Sequence, residues 1–145
     1  MIKNMEIREL KNFDYYLGYF ELLSKLSEIK KCSSEEFIFY LDNIKKNKNH
    51  KIFIIEDNNK IIGSITVILE QKFIRRCKKV GHIEDVVVYK DYRGKGLARK
   101  LLNYVINYCK KNNCYKIILD CSEEYKKFYE KNGFTKKNIQ MEKRF

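Results

Sequence analysis

The chain has 145 residues, a formal net charge of +12, 44% apolar side chains, five cysteines, and neither proline nor tryptophan. That length suits one domain with its own core, and the apolar content excludes wholesale disorder. No run approaches the roughly 18 consecutive apolar residues of a membrane span. The opening Met1-Ile2-Lys3-Asn4-Met5-Glu6 lacks the apolar stretch of a secretory signal, so a cytoplasmic protein is expected.

Ile7-Arg8-Glu9-Leu10 reads as a first short strand. Over residues 13–29, Leu17, Phe20, Leu23, Leu26 and Ile29 recur at three- and four-residue steps and predict one amphipathic helix. Ser33-Ser34-Glu35-Glu36 offers an N-cap and a first-turn acid pair, opening a second helix through Phe37, Leu41 and Ile44. The period then shortens to two. Residues 51–56 and 61–71 predict strands joined by the turn Asp57-Asn58-Asn59-Lys60. After a basic connection, residues 80–89 form a third β-rich run. A helix follows with Leu97, Leu101, Leu102, Val105, Ile106 and Cys109 on one face. Residues 115–121 predict a strand, 123–131 a helix, and 134–145 one or two final strands. This is an α/β (α+β) domain over residues 1–145, with a mixed central sheet flanked by helices.

Cys32, Cys77, Cys109, Cys114 and Cys121 are odd in number, form no C-x-x-C pair, and stand at no metal-site spacing from His50 or His82. Reduced, mostly buried thiols and no metal are expected. The positive charge suits anionic partners, but a lysine-rich solvated surface accounts for much of it equally well.

Residues 93–98, Arg-Gly-Lys-Gly-Leu-Ala, sit between a strand and a helix. Free N–H groups and the positive dipole end of that helix suit a pyrophosphate, and Gly94 and Gly96 let the backbone approach it closely. A Walker loop is excluded because no Gly-Lys-Ser/Thr stands at its spacing. A dinucleotide fingerprint is excluded because Arg99 occupies a position that needs a small residue.

The remaining pattern, Arg/Gln-x-x-Gly-x-Gly/Ala, is met by Arg93, Gly96 and Ala98, and it resembles the pyrophosphate loop of the GNAT acetyltransferases. A second motif of that family, Phe-Tyr-x-x-x-Gly-Phe, is matched by Phe128-Tyr129-Glu130-Lys131-Asn132-Gly133-Phe134 at the right remove. The resemblance implies acetyl-CoA as donor, held by Arg93, Gly94, Lys95, Gly96, Leu97 and Ala98 at its pyrophosphate. It also implies that Val86, Val87 and Val88 hold its pantetheine arm through backbone groups. Tyr129 would donate a hydrogen to the departing sulfur. Many members carry Asn where this chain has Tyr125, so that contact is not expected.

Within the family, four segments resemble the eukaryotic-type glucosamine-6-phosphate N-acetyltransferases. They are Lys72-Phe73-Ile74, residues 81–88, residues 113–117 and the closing Arg144-Phe145. The reaction so implied is direct acetyl transfer in a ternary complex to the sugar's 2-amine, a step toward UDP-N-acetylglucosamine. No nucleophilic cysteine is needed, and Cys121 reads as core.

Adjacent Glu84 and Asp85 should point to opposite faces of a strand unless a bulge intervenes, and a salt-bridged surface pair is an alternative for them. By resemblance both line the sugar site, and Glu84 is favoured as general base. Asp120, Ser27, Phe73 and Ile74 also belong to the sugar site by resemblance, with Lys72, Arg75 and Arg144 as the cations for its phosphate. A homodimer is likewise implied, with the C-terminal strand completing the neighbour's site.

Two other readings compete. One keeps the fold and changes the acceptor to a polyamine or a protein N-terminus, which suits a basic site poorly. The other is a basic nucleic-acid-binding domain. The loop, Tyr129 and the acid pair favour the enzyme, so no nucleic-acid partner is expected.

Overall fold

The structure, a computed structural model, describes residues 5–145. Five strands form one sheet in the order β1 (Ile7–Glu9), β2 (His50–Asp57), β3 (Lys60–Gln71), β4 (Lys79–Val88) and β5 (Cys114–Ile118). The first four pair antiparallel, and β5 joins β4 in parallel through the crossover helix α4 (Leu97–Lys111). Helix α5 (Glu123–Lys131) follows β5.

Alternation on β2 splits the core in two. Phe53 and Ile55 face α4, whose Leu97, Leu101, Leu102, Val105 and Cys109 are all buried as their spacing predicted. Ile54 faces the opposite layer, formed by α1 (Tyr19–Leu23) and α2 (Ser34–Lys46), where Leu22, Phe37 and Leu41 close over it. Each such side chain contributes about 1.5–3 kcal/mol on burial. Covered on both faces, β3 is buried without a break from Ile61 to Val67.

Local chemistry explains most of the boundaries. The Ser33 hydroxyl accepts from the Glu36 N–H at 3.1 Å and the Glu36 carboxylate accepts from the Ser33 N–H at 2.8 Å, so a capping box starts α2 as expected. Asn58 and Asn59 both take positive φ at the β2–β3 turn, which asparagine tolerates best among side-chain-bearing residues.

Three of the predicted elements differ in the structure. Residues 13–29 do not form one helix. A 3-10 segment over Asn12–Leu17 gives way to α1 at Gly18, whose φ of +82° breaks the helical path. The buried face of α1 is Tyr19 and Leu22, while Leu26 and Ile29 lie beyond it and are exposed. Residues 134–145 form no strand at all; β5 stands at the sheet edge with only β4 as partner. It also stops at Ile118 rather than reaching residue 121.

Gly81 is required for space. A Cβ built there would lie 2.6 Å from the Cys109 sulfur. Gly81→Ala should therefore cost about 1–3 kcal/mol in denaturant unfolding. Adding Cys109→Ala should recover part of it, and a strictly additive double mutant would show that the clash is not the cause.

Candidate active site

The strands β4 and β5 part company midway. Their ladder runs from Lys79 opposite Cys114 to His82 opposite Ile118, and beyond it the β4 edge through Val88 has no partner on the β5 side. Backbone groups on that edge are left to bind something extended. Val86 and Val88 turn their side chains to the α4 core and Val87 to the opposite one, so the edge is anchored from both faces.

A β-bulge sits in the same place. Ser64 pairs with Val87 but Thr66 pairs with Glu84, so Asp85 and Val86 share the space opposite Ile65 alone. Asp85 takes a φ of +49°, a left-handed conformation that costs a non-glycine residue roughly 1–2 kcal/mol. The bulge overrides simple alternation: Glu84 and Asp85 are consecutive and both exposed. Glu84 is pushed above the ordinary carboxylate range by partial burial first, then by repulsion from Asp85 and Asp120, with His82 acting in the opposite direction. Asp120, two residues past the end of β5, thus faces the acid pair from the other side of the opening.

The glycine loop leads directly into α4. Gly94 and Gly96 have φ of +75° and +78°, and Gly96 is the N-cap residue. No atom lies within 4 Å of a Cβ built at either, so their surroundings are open, and the N–H groups of Leu97, Ala98 and Arg99 at the start of α4 have no helical carbonyl to bond and can meet an anion. Arg93 and Lys95 are exposed around them, while Leu97 is buried beneath and Ala98 packs against the core. The arrangement fits a pyrophosphate.

Tyr129 is set by the end of its helix. Gly133, with φ of +89°, lets its own N–H reach the Glu130 carbonyl and the Phe134 N–H reach the Tyr129 carbonyl, both at 3.1 Å. This Schellman ending folds Phe134 back against the Tyr129 ring, edge-on at 5.9 Å, with Phe128 on another side. The Phe-Tyr-x-x-x-Gly-Phe motif is therefore a helix stop that fixes one aromatic ring. Burial pushes the Tyr129 phenol up to about 12. Its ring shares the wall of a groove of about 800 Å³ with Asp120 and Cys121.

The expected sugar-phosphate residues are partly assembled. Phe73, Ile74 and Arg75 lie on the turn α3 (Ile74–Cys77), where Arg75 and Arg76 are left-handed. Phe73 and Ile74 are exposed, the Arg75 guanidinium lies 5.9 Å from the Tyr115 ring centre, and Lys72 pairs with Glu70 at 2.9 Å. Ser27 is exposed in the irregular stretch after α1. Arg144 is far along the exposed C-terminal segment, bonded to Glu142 at 2.6 Å. The thiol expectation needs correction: only Cys109 is buried, while Cys77 and Cys121 are exposed. Cys121 is not core, because β5 ends before it and the chain there borders the groove.

Sequence reading missed two features. The Tyr92 hydroxyl donates to Asp57 at 2.6 Å and its ring carries Lys95 at 5.1 Å, tying the glycine loop to the β2–β3 turn. No local pattern joins residues so far apart. His82 bonds Glu70 at 2.9 Å; its place two residues before Glu84 puts both on one strand face, a signal the sequence did carry.

Among the described residues no group of three or more His, Cys, Asp or Glu could hold a metal, and no helix is long and apolar enough to cross a membrane. The acetyltransferase (GNAT) family profile matches residues 6–134. Glucosamine 6-phosphate N-acetyltransferase of Arabidopsis thaliana is 43% identical over 148 residues, covering 100% of this chain and 99% of that protein. Glucosamine 6-phosphate N-acetyltransferase 1 of Dictyostelium discoideum is 42% identical over 94% of this chain and 88% of its own. The crystal structure of the Arabidopsis enzyme superposes with a TM-score of 0.94 over 98% of this chain and 99% of that one. A Trypanosoma brucei acetyltransferase, 34% identical, gives 0.91 over 98% and 100%. The family profile spans most of the chain, and relatives and solved structures match it over nearly its whole length; the chain belongs to the acetyltransferase (GNAT) family.

Proposed function

We propose that the chain transfers acetyl from acetyl-CoA to the 2-amine of glucosamine 6-phosphate, giving N-acetylglucosamine 6-phosphate and CoA. The carrying observation is the acid cluster of Glu84, Asp85 and Asp120 at the mouth of the β4–β5 opening. The full-length likeness to enzymes of that name supports it.

Acetyl-CoA lies with its pyrophosphate on residues 93–98 and its pantetheine arm along the free β4 edge. Backbone N–H groups near Val86 and Val88 polarise the thioester carbonyl and stabilise the oxyanion of the tetrahedral adduct. The sugar arrives as an ammonium, which the acid cluster attracts. Glu84, with its raised proton affinity, takes one proton so that the neutral amine can attack. Asp85 and Asp120 hold hydroxyls and orient the amine. The phosphate meets Lys72 and Arg75, since an ammonium paired to Glu70 still has donors to spare.

Arg144 is assigned to the phosphate of a neighbouring subunit's substrate. Ile139, Met141 and Phe145 of the C-terminal segment are almost fully exposed, and among the described residues the outer edge of β5 is unpaired, so exchange of these segments in a homodimer would cover both.

Release of CoA thiol with glucosamine 6-phosphate, glucosamine, spermidine and a peptide tests the acceptor. Turnover confined to unphosphorylated or cationic acceptors would overturn the assignment. Arg144→Ala should raise KM for the sugar phosphate about ten-fold or more, the loss of one charge-assisted bond, with KM for acetyl-CoA little changed. Mixing Arg144→Ala with an inactive Glu84→Gln chain should restore activity if the arginine acts across the dimer. A monomer by sedimentation would remove that role.

A further inference from the structure

Each turnover must dispose of a proton. An ammonium becomes an amide by losing two: one ends on the departing sulfur, the other is taken by Glu84 and has to leave before the next substrate ammonium binds. Glu84 sits among Asp85 and Asp120, neither of which can carry the proton outward without adding to the same acid cluster. His82 is two residues before Glu84 on β4, so the two side chains share a face. The register confirms this, with His82 opposite Ile68 and Glu84 opposite Thr66 on β3. On that face Glu70 holds the His82 Nε2 at 2.9 Å, and Glu70 is itself half exposed and paired to Lys72 at 2.9 Å. From β5 the neighbour across the ladder is uncharged Ile118, while Lys116, two residues earlier, has its ammonium 5.6 Å from the Tyr115 ring centre. The charged groups around His82 are therefore Glu70 and Lys72 on its outer side and the acid cluster on its inner side.

We propose that His82, oriented by Glu70, is a positioning and relay residue that carries the proton from Glu84 to solvent and so resets the base. This rests on Glu84 as the base. With Nε2–H donated to Glu70, Nδ1 is the ring nitrogen able to accept. The proton passes from the Glu84 carboxyl to Nδ1, directly or through water, and the cationic ring then releases its Nε2 proton beside exposed Glu70. Exchange with water then moves the remaining ring proton from Nδ1 back to Nε2, restoring the starting tautomer, and one proton leaves per acetyl transferred. Imidazole is the side chain suited to both halves of this exchange near neutral pH.

The test is the pH dependence of CoA thiol release by wild type, His82→Gln and Glu70→Gln with saturating acetyl-CoA. His82→Gln should lower kcat roughly ten-fold, most at the acid end where Glu84 is slowest to reset, and leave KM for acetyl-CoA unchanged. Added imidazole should restore the rate in a concentration-dependent manner. Glu70→Gln keeps the ring but loosens its orientation, so a smaller loss in the same direction is expected, without imidazole rescue. A His82→Gln profile parallel to wild type at all pH values, or a loss that imidazole does not touch, would overturn the relay. Failure of glucosamine 6-phosphate as acceptor counts against the acceptor assignment alone, because the same profile is readable with any amine the wild type acetylates.

Discussion

Glu84→Gln is expected to lower kcat by roughly 10²- to 10⁴-fold, the usual contribution of a positioned general base. Glutamine keeps the shape and the capacity to hydrogen-bond sugar hydroxyls, so KM for glucosamine 6-phosphate should move much less than kcat. The wild-type acid limb has a definite sign. The fold raises the proton affinity of Glu84, through partial burial and the nearby Asp85 and Asp120, so activity falls as pH drops through a value above the ordinary carboxylate range of about 4.3. Stability runs the other way. A carboxyl raised in the folded state favours folding below its unfolded value, and that contribution is lost as pH rises through the folded value. At neutral pH the Glu84 charge is therefore a burden, and Glu84→Gln should melt no lower than wild type. A variant that keeps its activity, or loses it together with its melting temperature, would remove Glu84 from the role of base.

Tyr129→Phe should cost roughly 10- to 100-fold in kcat, at or below the usual range for a positioned proton donor. With its phenol pushed up to about 12, Tyr129 stays protonated throughout the working range. A free thiol titrates near 8.5, so complete transfer of the phenol proton to the thiolate would be uphill by roughly 5 kcal/mol. The hydroxyl therefore acts by hydrogen-bonding the developing thiolate, and any proton it passes on must be replaced in the same step. Two consequences can be measured. The wild-type rate should show no alkaline loss assignable to Tyr129 below about pH 10. In Tyr129→Phe, acetyl donors with a more acidic leaving thiol should regain much of the rate, because a better leaving group needs less help. An equal loss for all donors would place Tyr129 in ring packing alone, where Phe128 and Phe134 already hold it.

The two motifs were legible because each is a local backbone requirement written in residue types. Gly94 and Gly96 occupy positive φ in one turn, and Gly133 does so at a helix end. The face of α4 was legible for a related reason, since its 3.6-residue spacing meets one continuous core. The break at Gly18 was missed because the apolar steps at Leu17, Phe20 and Leu23 continue across it, and the core selected Tyr19 and Leu22 instead.

The sequence by itself determined the family motifs: a glycine loop before a helix, the Phe-Tyr-x-x-x-Gly-Phe run, an acid pair and the order of elements around them. Those depend on contacts within a few residues, so spacing encodes them. Only the tertiary structure decided that Glu84 and Asp85 both emerge at one opening, because the bulge opposite Ile65 exists only when β4 pairs with β3. It likewise decided that β5 leaves β4 after His82, that Asp120 returns to the acid pair, and that Glu70 and Asp57 hold His82 and Tyr92. It also left residues 134–145 without a strand: the segment does not pair with the open edge of β5, and periodicity alone carries no record of whether a partner backbone is met.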